Sequence, residues 1–255
     1  MELRLSIRNR ILDVLGFSAK PAPGIHILNG HRTLNETEPK SFEKMLSELS
    51  QNVKFLRAEE AVKMIVDKDF PNIPCVAFTF DDGFDECYNI FAPVLEEFGV
   101  NGIFFINPNY VDGDESYINH FNNVVVRTPR KKPMNWNQII ELNNRGFIIG
   151  AHTMDHYLTA QDDERELKYQ IVECKKVIEE NLGQPCDYFA WPYGRFEHTS
   201  KKAIDLACQT YKYVFSQSDY KHYFSFDGRV INRRHFEPFW PVSHVKFFLS
   251  CNKKS

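Results

Sequence analysis

Short apolar runs alternate with longer amphipathic stretches along most of the chain. Six of these runs are rich in β-branched and aromatic residues and have the length of buried strands. They span residues 25–31, 76–80, 102–106, 147–150, 188–191 and 213–216. Most are followed by a turn and then by apolar residues at helical spacing. The repeated order of strand and helix predicts a parallel sheet covered by helices, which is an α/β fold.

The amphipathic stretches predict six helices between and after these strands. They span residues 41–49, 57–67, 85–98, 136–145, 162–181 and 199–209. Ser41 is a candidate N-cap for the first of them, because a hydroxyl at that place can accept a hydrogen bond from a free backbone N–H. Pro93 is expected to distort the third, since proline cannot donate the helical hydrogen bond.

Three segments lie outside this pattern. Residues 3–17 have helical spacing and predict an N-terminal helix that packs on the domain, with a membrane surface as the alternative partner. Residues 107–134 are polar and are expected to form a substrate-side loop with local structure. Residues 224–254 are aromatic and predict an irregular C-terminal tail, which places the core of the domain at about residues 24–216.

The composition is that of an ordinary soluble domain. Of the 255 residues, 43% are hydrophobic and 25% are charged, so the chain can build a large core as one domain over residues 1–255. A net charge of −3 gives no strong attraction to nucleic acid. Charges interrupt each apolar run near the N-terminus, and no run reaches transmembrane length. The six cysteines form no C-x-x-C pair and fit a reducing compartment, so we expect a cytoplasmic location.

Polar side chains that can carry chemistry come directly after the predicted strands. They are His31, Asp81, Asp82, Asn107, His152 and residues 191–195. In a (β/α) barrel the carboxyl ends of the strands meet at one face, and active sites are built there. We therefore expect these residues to converge at one site.

Two histidines and a carboxylate form a candidate metal site. His152 and His156 are four positions apart, so on a helical turn they would lie on the same face. An exposed turn without a metal would also explain this spacing. The motif differs from H-E-x-x-H because Thr153 replaces the general base, so the base must come from elsewhere. Asp82 can bind the metal while Asp81 accepts a proton.

Two motifs resemble those of the polysaccharide deacetylase family, also called the NodB-homology or carbohydrate esterase 4 group. Residues 79–83, Thr-Phe-Asp-Asp-Gly, are similar to its first motif. Residues 152–156, His-Thr-Met-Asp-His, match its second motif, H-[ST]-x-x-H. The separation of the two motifs also fits, and the resemblance covers roughly residues 24–216.

The resemblance implies both a fold and an activity. The fold is a distorted (β/α)7 barrel of the NodB-homology type. The activity is the metal-dependent removal of N-acetyl groups from amino sugars. Carried over to this chain, the resemblance implies that Asp81 is the catalytic base and that Asp82, His152 and His156 hold the metal.

The third motif of the family, R-x-P-Y, is only partly present. Ala190 stands in place of the arginine, whereas Tyr193 matches the tyrosine. The resemblance implies that the backbone N–H of Tyr193 helps to hold the oxyanion. Arg195 either supplies the missing charge or lies in solvent. We take Trp191, Arg195 and Asn107 as candidate substrate-binding residues, although core packing would also explain Trp191.

The late L-x-H motif, which carries the catalytic acid in common members, is absent from this sequence, and His235 is the nearest late histidine. Residues 27–32 resemble the N-terminal segment of a circularly permuted branch of the family. That branch includes exported deacetylases of biofilm poly-N-acetylglucosamine, in which the acid comes from the first strand. We therefore favour His31 as the acid and keep His235 as the alternative.

The resemblance thus implies an N-deacetylase whose substrate is an N-acetylated amino sugar of a surface polysaccharide, such as an O-antigen. A nucleotide-linked or lipid-linked precursor, or a short oligosaccharide, would fit a cytoplasmic enzyme. Zinc is the first choice of metal because two imidazoles and a carboxylate are typical of it, and nickel, cobalt, manganese or iron can also serve. Two alternatives stay open, an O-acetyl esterase and a catalytically silent carbohydrate-binding module. An intact base at Asp81 argues against the silent module.

Overall fold

A ring of parallel strands forms the centre of the molecule in the computed structural model, which describes residues 2–34 and 39–254. The strands are β1 Gly24–Gly30, β2 Lys54–Phe55, β3 Pro74–Phe80, β4 Gly102–Ile106, β5 Ile148–Ala151, β6 Tyr188–Ala190, β7 Tyr213–Ser216, β8 Phe224–Ser225, β9 Val230–Asn232 and β10 Arg234–His235. Six of them, β1, β3, β4, β5, β6 and β7, pair in parallel in that order. The predicted parallel sheet is confirmed.

The segment 230–235 joins the two ends of this sheet. Its first half, β9, pairs in parallel with β7, and its second half, β10, pairs in parallel with β1. This bent seventh strand completes the distorted (β/α)7 barrel of the NodB-homology type. The predicted irregular tail at 224–254 is therefore wrong in this part of the chain. Strands of two or three residues are too short for their periodicity to be read from sequence.

Helices connect the strands and cover the outside of the barrel. They are α1 Glu2–Phe17, α2 Pro39–Leu49, α3 Ala58–Val66, α4 Ala92–Glu97, α5 Pro108–Val111, α6 Glu115–His120, α7 Trp136–Asn144, α8 Glu164–Leu167, α9 Cys174–Leu182, α10 Lys201–Thr210 and α11 Val242–Leu249. Segments of π-helix precede α4, follow α6 and join α8 to α9, at Cys87–Phe91, Phe121–Val125 and Lys168–Glu173. Ser41 lies inside α2, so its predicted role as N-cap is wrong.

Alternate residues of the strands face two different apolar clusters. In β3, Ala77 belongs to a cluster inside the ring, together with Phe105 of β4 and Phe215 of β7. Its neighbours Val76 and Phe78 belong to a second cluster, between the strands and the helices. Because both faces are buried, β1, β3, β4, β5, β6 and β7 are largely apolar, which is why their sequences predict strands.

The N-terminal helix packs against the C-terminal one. Nε2 of His244 in α11 lies 2.8 Å from Oδ1 of Asp13 in α1, and Leu12 of α1 is buried. This arrangement agrees with the predicted packing of residues 3–17 on the domain. The boundary of one domain at residues 1–255 stays a prediction. No helix in the described part of the chain combines the length and the apolar character needed to cross a membrane.

Candidate active site

The polar residues that follow the strands meet at the carboxyl-terminal face of the barrel. They surround a cavity of about 770 Å³, a size within the roughly 300–1,000 Å³ of ordinary ligand sites. The predicted site residues on its wall are His31, Asp81, Asp82, His152, His156, Tyr193, Arg195 and His235. Strands far apart in sequence therefore bring most of the predicted site together.

Asp82, His152 and His156 form a compact cluster on this wall. Their candidate ligand atoms lie within 4.8 Å of one another, and all three residues are buried. Nε2 of His156 is 3.3 Å and Nε2 of His152 is 3.7 Å from Oδ1 of Asp82. That oxygen is buried without a hydrogen-bond partner among the described residues. A buried carboxylate oxygen without a donor is costly, and a divalent ion would satisfy it, so these residues fit a metal.

The orientation of His152 also suits a metal ligand. Its Nδ1 lies 2.7 Å from the carbonyl oxygen of Ala190. Because a carbonyl can only accept a hydrogen bond, Nδ1 must carry the hydrogen, which leaves the lone pair of Nε2 facing Asp82. Burial lowers the pKa of His152 to about 4, although nearby Asp81 opposes this effect. The imidazole is therefore neutral near pH 7, as a ligand must be.

The two histidines lie on a loop, so the predicted helical turn is wrong. Thr153 and His156 have φ angles of 65° and 56°, in the left-handed region. The side-chain amide of Asn107 donates to the carbonyl oxygens of His152 and Thr153 and so ties the end of β4 to this loop. Asn107 is fully buried and does not line the cavity. It therefore positions the loop and does not make the predicted contact with substrate.

The turn after β3 requires the glycine of the Asp-Asp-Gly sequence. Asp82 and Gly83 have φ angles of 75° and 71°. A Cβ at Gly83 would lie 3.2 Å from the side chain of Ile106. Only glycine combines this backbone with so close an approach. The left-handed Asp82 is a strained residue of the kind that collects at functional sites.

Asp81 is held by a buried arginine. Nη1 and Nη2 of Arg233 donate to its two carboxylate oxygens at 2.8 and 3.0 Å, and Nδ2 of Asn29 donates to Oδ2 at 2.9 Å. The guanidinium of Arg233 lies fully buried over the rings of Phe105 and Phe215. Burial alone would raise the pKa of Asp81, but the charge of Arg233 outweighs it and holds that pKa well below its ordinary value.

Arg233 supplies the charge that the third motif lacks. Arg195 does not replace the missing arginine, because its side chain is 69% exposed and lies 3.5 Å from exposed Glu197. The guanidinium comes instead from the residue between β9 and β10. Sequence reasoning missed both Arg233 and Asn29. Arg233 follows a run of only two apolar residues, Val230 and Ile231, which is too short to predict a strand, so no local signal marks it.

Replacing Arg233 with methionine is expected to destabilise the fold by about 3–5 kcal/mol, because it leaves the carboxylate of Asp81 buried without its partner. Chemical denaturation at pH 7 measures the change. Arg229→Met is the matched control, since Arg229 pairs with Asp205 at 2.6 Å on the surface, and a much smaller loss is expected there. Equal losses in the two variants would contradict a structural role for the buried pair.

His31 and His235 lie on another part of the wall, beside Glu237. Nδ1 of His31 is 3.2 Å from Oε1 of Glu237, and the two imidazole rings are 5.1 Å apart. Burial would lower the pKa of His31, but the charge of Glu237 outweighs it and raises that pKa to about 9. Burial and the neighbouring His31 lower the pKa of His235 to about 4. Near neutral pH, His31 is therefore protonated and His235 is not. No motif or pattern in the sequence indicates this role of Glu237.

Trp191 lies in the core. It is 1% exposed and does not line the cavity, so its predicted contact with substrate is wrong and the alternative of core packing is right. Its Nε1 donates to the carbonyl oxygen of Arg195 at 3.2 Å. The indole therefore fixes the path of the backbone that carries Arg195 past the cavity.

Tyr193 extends over the histidine loop from a turn of fixed shape. Tyr193 and Gly194 have φ angles of 63° and 66°. A Cβ at Gly194 would lie 2.8 Å from Gln217, so glycine is needed. The ring of Tyr193 is 4.6 Å from that of His156. This loop therefore lines the cavity beside the cluster of Asp82, His152 and His156.

Comparison with known sequences places this site in a family. The profile of the family described as polysaccharide deacetylase matches residues 68–211. Over 172 residues the chain is 28% identical to YxkH of Bacillus subtilis (strain 168), which is named for the same family. This match covers 65% of the chain and 54% of YxkH, so the chain spans about half the length of that curated relative.

Solved structures share the fold. IcaB from Ammonifex degensii superposes with a TM-score of 0.72 at 21% identity, over 91% of this chain and 100% of that one. The deacetylase PplD of Streptococcus pyogenes, solved with acetate, gives 0.65 at 17% identity, over 89% and 97%. A de-N-acetylase from Aggregatibacter actinomycetemcomitans gives 0.62 at 18%, over 88% and 99%. Because the family profile covers more than half of the chain and both motifs, this chain belongs to the polysaccharide deacetylase family.

Proposed function

We propose that this chain is a metal-dependent hydrolase that removes N-acetyl groups from amino sugars. One observation carries the proposal. A buried, ionised Asp81 lies on the same cavity wall as the Asp82, His152 and His156 cluster and a protonated His31. This arrangement combines a base, a metal-ligand set and an acid, which are the groups that amide hydrolysis needs.

Each of these residues would have its own role in the hydrolysis. A divalent ion held by Asp82, His152 and His156, most suitably zinc, would supply a Lewis acid for the acetamide carbonyl and the attacking water. Asp81 accepts the proton of that water, and Arg233 keeps its carboxylate in one orientation. His31 gives a proton to the leaving amine. The backbone N–H of Tyr193 is the proposed donor to the oxyanion.

We propose that the amino sugars belong to a surface polysaccharide, such as an O-antigen, or to its precursor. The substrate would be a nucleotide-linked or lipid-linked precursor, or a short oligosaccharide. The cytoplasm is the proposed compartment, because all six cysteines are free thiols and four of them are buried, which suits a reducing environment. Nickel, cobalt, manganese or iron would serve with the same ligands in place of zinc.

Product analysis tests the reaction. Zinc-loaded protein is incubated with a panel of N-acetylated and O-acetylated amino sugars, and both acetate and free amine are measured. We expect equal amounts of the two products from the N-acetylated sugars, and neither after chelation. Acetate without amine would identify an O-acetyl esterase instead. Binding of the sugars without either product would identify a silent carbohydrate-binding module.

Replacing His31 with alanine is expected to lower kcat by roughly 10²–10⁴-fold and to remove the alkaline limb of the pH–rate profile. An acid works only while protonated, so the rate of the native enzyme should fall as the pH rises through the pKa of His31, which is about 9. His235→Ala should keep that limb, since the pKa of His235 is about 4. Metal content should be unchanged in both variants.

Glu237→Gln tests whether the charge of Glu237 raises the pKa of His31. The charged or titratable groups that act on His31 are Glu237, Asp82, Asp81 and His235. Removing the charge of Glu237 should lower the pKa of His31, so the alkaline limb should move to lower pH. If His235→Ala removes the limb and His31→Ala does not, the acid is His235 and the permuted arrangement is wrong.

A further inference from the structure

Two imidazoles and a carboxylate meet at a second place in the active-site cavity. They belong to His31, His235 and Glu237, whose candidate ligand atoms lie within 4.8 Å of one another. Both histidines line the cavity. We call these three residues the outer cluster. The inner cluster has the same donor types and consists of Asp82, His152 and His156.

The carboxylate of Glu237 is oriented as a metal ligand would be. Its Oε2 accepts hydrogen bonds from the backbone N–H groups of His31 and Arg32, at 3.4 and 3.5 Å. Its Oε1 lies 3.2 Å from Nδ1 of His31 and 3.7 Å from Nε2 of His235. In the inner cluster one oxygen of Asp82 faces two histidine nitrogens at 3.3 and 3.7 Å in the same way. A carboxylate held through one oxygen presents the other to an ion in a fixed position.

The two imidazoles of the outer cluster come from neighbouring strands. His31 follows β1, and His235 of β10 pairs with Asn29 of β1 in a parallel register. The backbone N–H of Phe236 donates to the carbonyl oxygen of Asn29 at 3.0 Å. The ring of Trp240 packs edge-on against His235, with ring centres 5.2 Å apart. Ligands carried by paired strands are already in place when an ion arrives, so binding needs little rearrangement.

His235 has a nitrogen available to an ion. Its Nε2 is 3.7 Å from Glu237, which is too far for a hydrogen bond. Its side chain is 42% exposed, so an ion can reach it from the cavity. The ion pair between His31 and Glu237 therefore uses only one of the two histidines. A metal ion would use both.

The two clusters differ in how open they are. All three residues of the inner cluster are buried, and Oδ1 of Asp82 has no hydrogen-bond partner among the described residues. The residues of the outer cluster are partly exposed, and an ion there would have to replace the contact between His31 and Glu237. The first equivalent of zinc is therefore expected in the inner cluster. An open set of nitrogen and oxygen ligands suits nickel(II) or copper(II).

We propose that the outer cluster is a second metal site, which takes a divalent ion such as nickel(II) or copper(II) and inhibits the enzyme when it is filled. The ion would bind Nδ1 of His31 in place of a proton, and that proton would pass to the solvent. His31 would then no longer be an imidazolium and could not act as the acid. Only the inhibition rests on the proposed deacetylase function, because the metal site stands on its own ligands.

Nickel binding to protein that holds one equivalent of zinc tests the proposal. Equilibrium dialysis measures the nickel bound and the zinc retained. Diffraction from crystals at a wavelength between the nickel and zinc absorption edges locates the nickel alone. We expect one nickel ion per chain, bound to His31, His235 and Glu237, with the zinc retained. Amine release should fall by roughly 10²-fold at saturating nickel, as for the loss of a general acid.

Variants of the outer cluster give the residue-level test. His235→Ala should weaken nickel binding by at least roughly tenfold, because even groups that only support a ligand matter by about 10–100-fold. Glu237→Gln should act in the same direction, since a neutral amide is a poorer ligand than a carboxylate. In both variants inhibition should need more nickel, relative to the variant's own rate without nickel.

His222→Gln is the matched control. His222 pairs with Asp219 at 2.7 Å, so it is also a histidine beside a carboxylate, but it belongs to neither cluster and does not line the cavity. Nickel affinity and inhibition should match those of the native chain. A loss in His222→Gln equal to that in His235→Ala would overturn the outer site.

The other outcomes separate this inference from the deacetylase proposal. Nickel that displaces zinc from the inner cluster, or that binds His235→Ala as tightly as the native chain, would overturn the outer site. Nickel bound at the outer cluster with unchanged amine release would overturn the inhibition. A chain that releases no amine with zinc alone, yet binds nickel through these three residues, would end the deacetylase proposal and leave the second metal site in place.

Discussion

Asp81→Asn is expected to lower kcat by roughly 10²–10⁴-fold, the usual effect of removing a general base. The metal content should stay unchanged, because in this account Asp82, His152 and His156 hold the ion and Asp81 does not. The amide keeps the shape of the carboxylate and retains one acceptor for Arg233, but it cannot take a proton near neutral pH. Metal analysis of the purified variant, together with the rate of amine release, measures both quantities.

A loss of stability must be separated from this loss of rate, since the substitution leaves the charge of buried Arg233 unpaired. Thermal unfolding of the variant shows whether it is folded at the assay temperature. Asp205→Asn is the control, because Asp205 pairs with Arg229 at the surface and does not line the cavity. A folded Asp81→Asn protein with near-normal turnover would show that the base is another group.

Replacing either His152 or His156 is expected to cause a large loss of zinc affinity and, with it, of activity. His152→Ala or His156→Ala should weaken zinc binding by at least roughly 10²-fold, because changes to groups that only support a ligand already cost 10–100-fold. Activity should be lost in parallel and return only at high zinc concentrations. Equilibrium dialysis measures the affinity without relying on turnover.

His222→Gln is the control for these two variants. Its imidazole is partly exposed and pairs with Asp219 at 2.7 Å, and it does not line the cavity. Zinc affinity and turnover should match those of the native chain. Full zinc occupancy in His152→Ala and His156→Ala would show that the ion binds at another site.

The sequence predicted six strands of the ring because each of them is buried on both faces and is therefore largely apolar. It also predicted that His31, Asp81 and His152 would meet, since residues that follow parallel strands share one face of a barrel. These predictions depend on local pattern and on chain order, which a single sequence displays directly. The resemblance to a family then assigned roles to residues already singled out by their position.

The parts that could not be predicted depend on contacts between distant segments. Nothing local marks Arg233 as the partner of Asp81, because its strand is short and its carboxylate partner lies about 150 positions earlier. Glu237 reaches His31 across 206 positions. Asn107 follows a strand as a substrate-binding residue would, yet its amide turns inward to hold the histidine loop. In each case the partner decides the role, and the partner is visible only in the fold.

The most direct test of this account is an anomalous-diffraction map of crystals grown with zinc. We expect one strong peak at about 2.0–2.2 Å from a carboxylate oxygen of Asp82 and from Nε2 of His152 and His156. The carboxylate of Asp81 should stay paired with Arg233 and outside the coordination distance. A peak more than about 3 Å from any of these three ligands, or one coordinated by Asp81, would contradict the central claim.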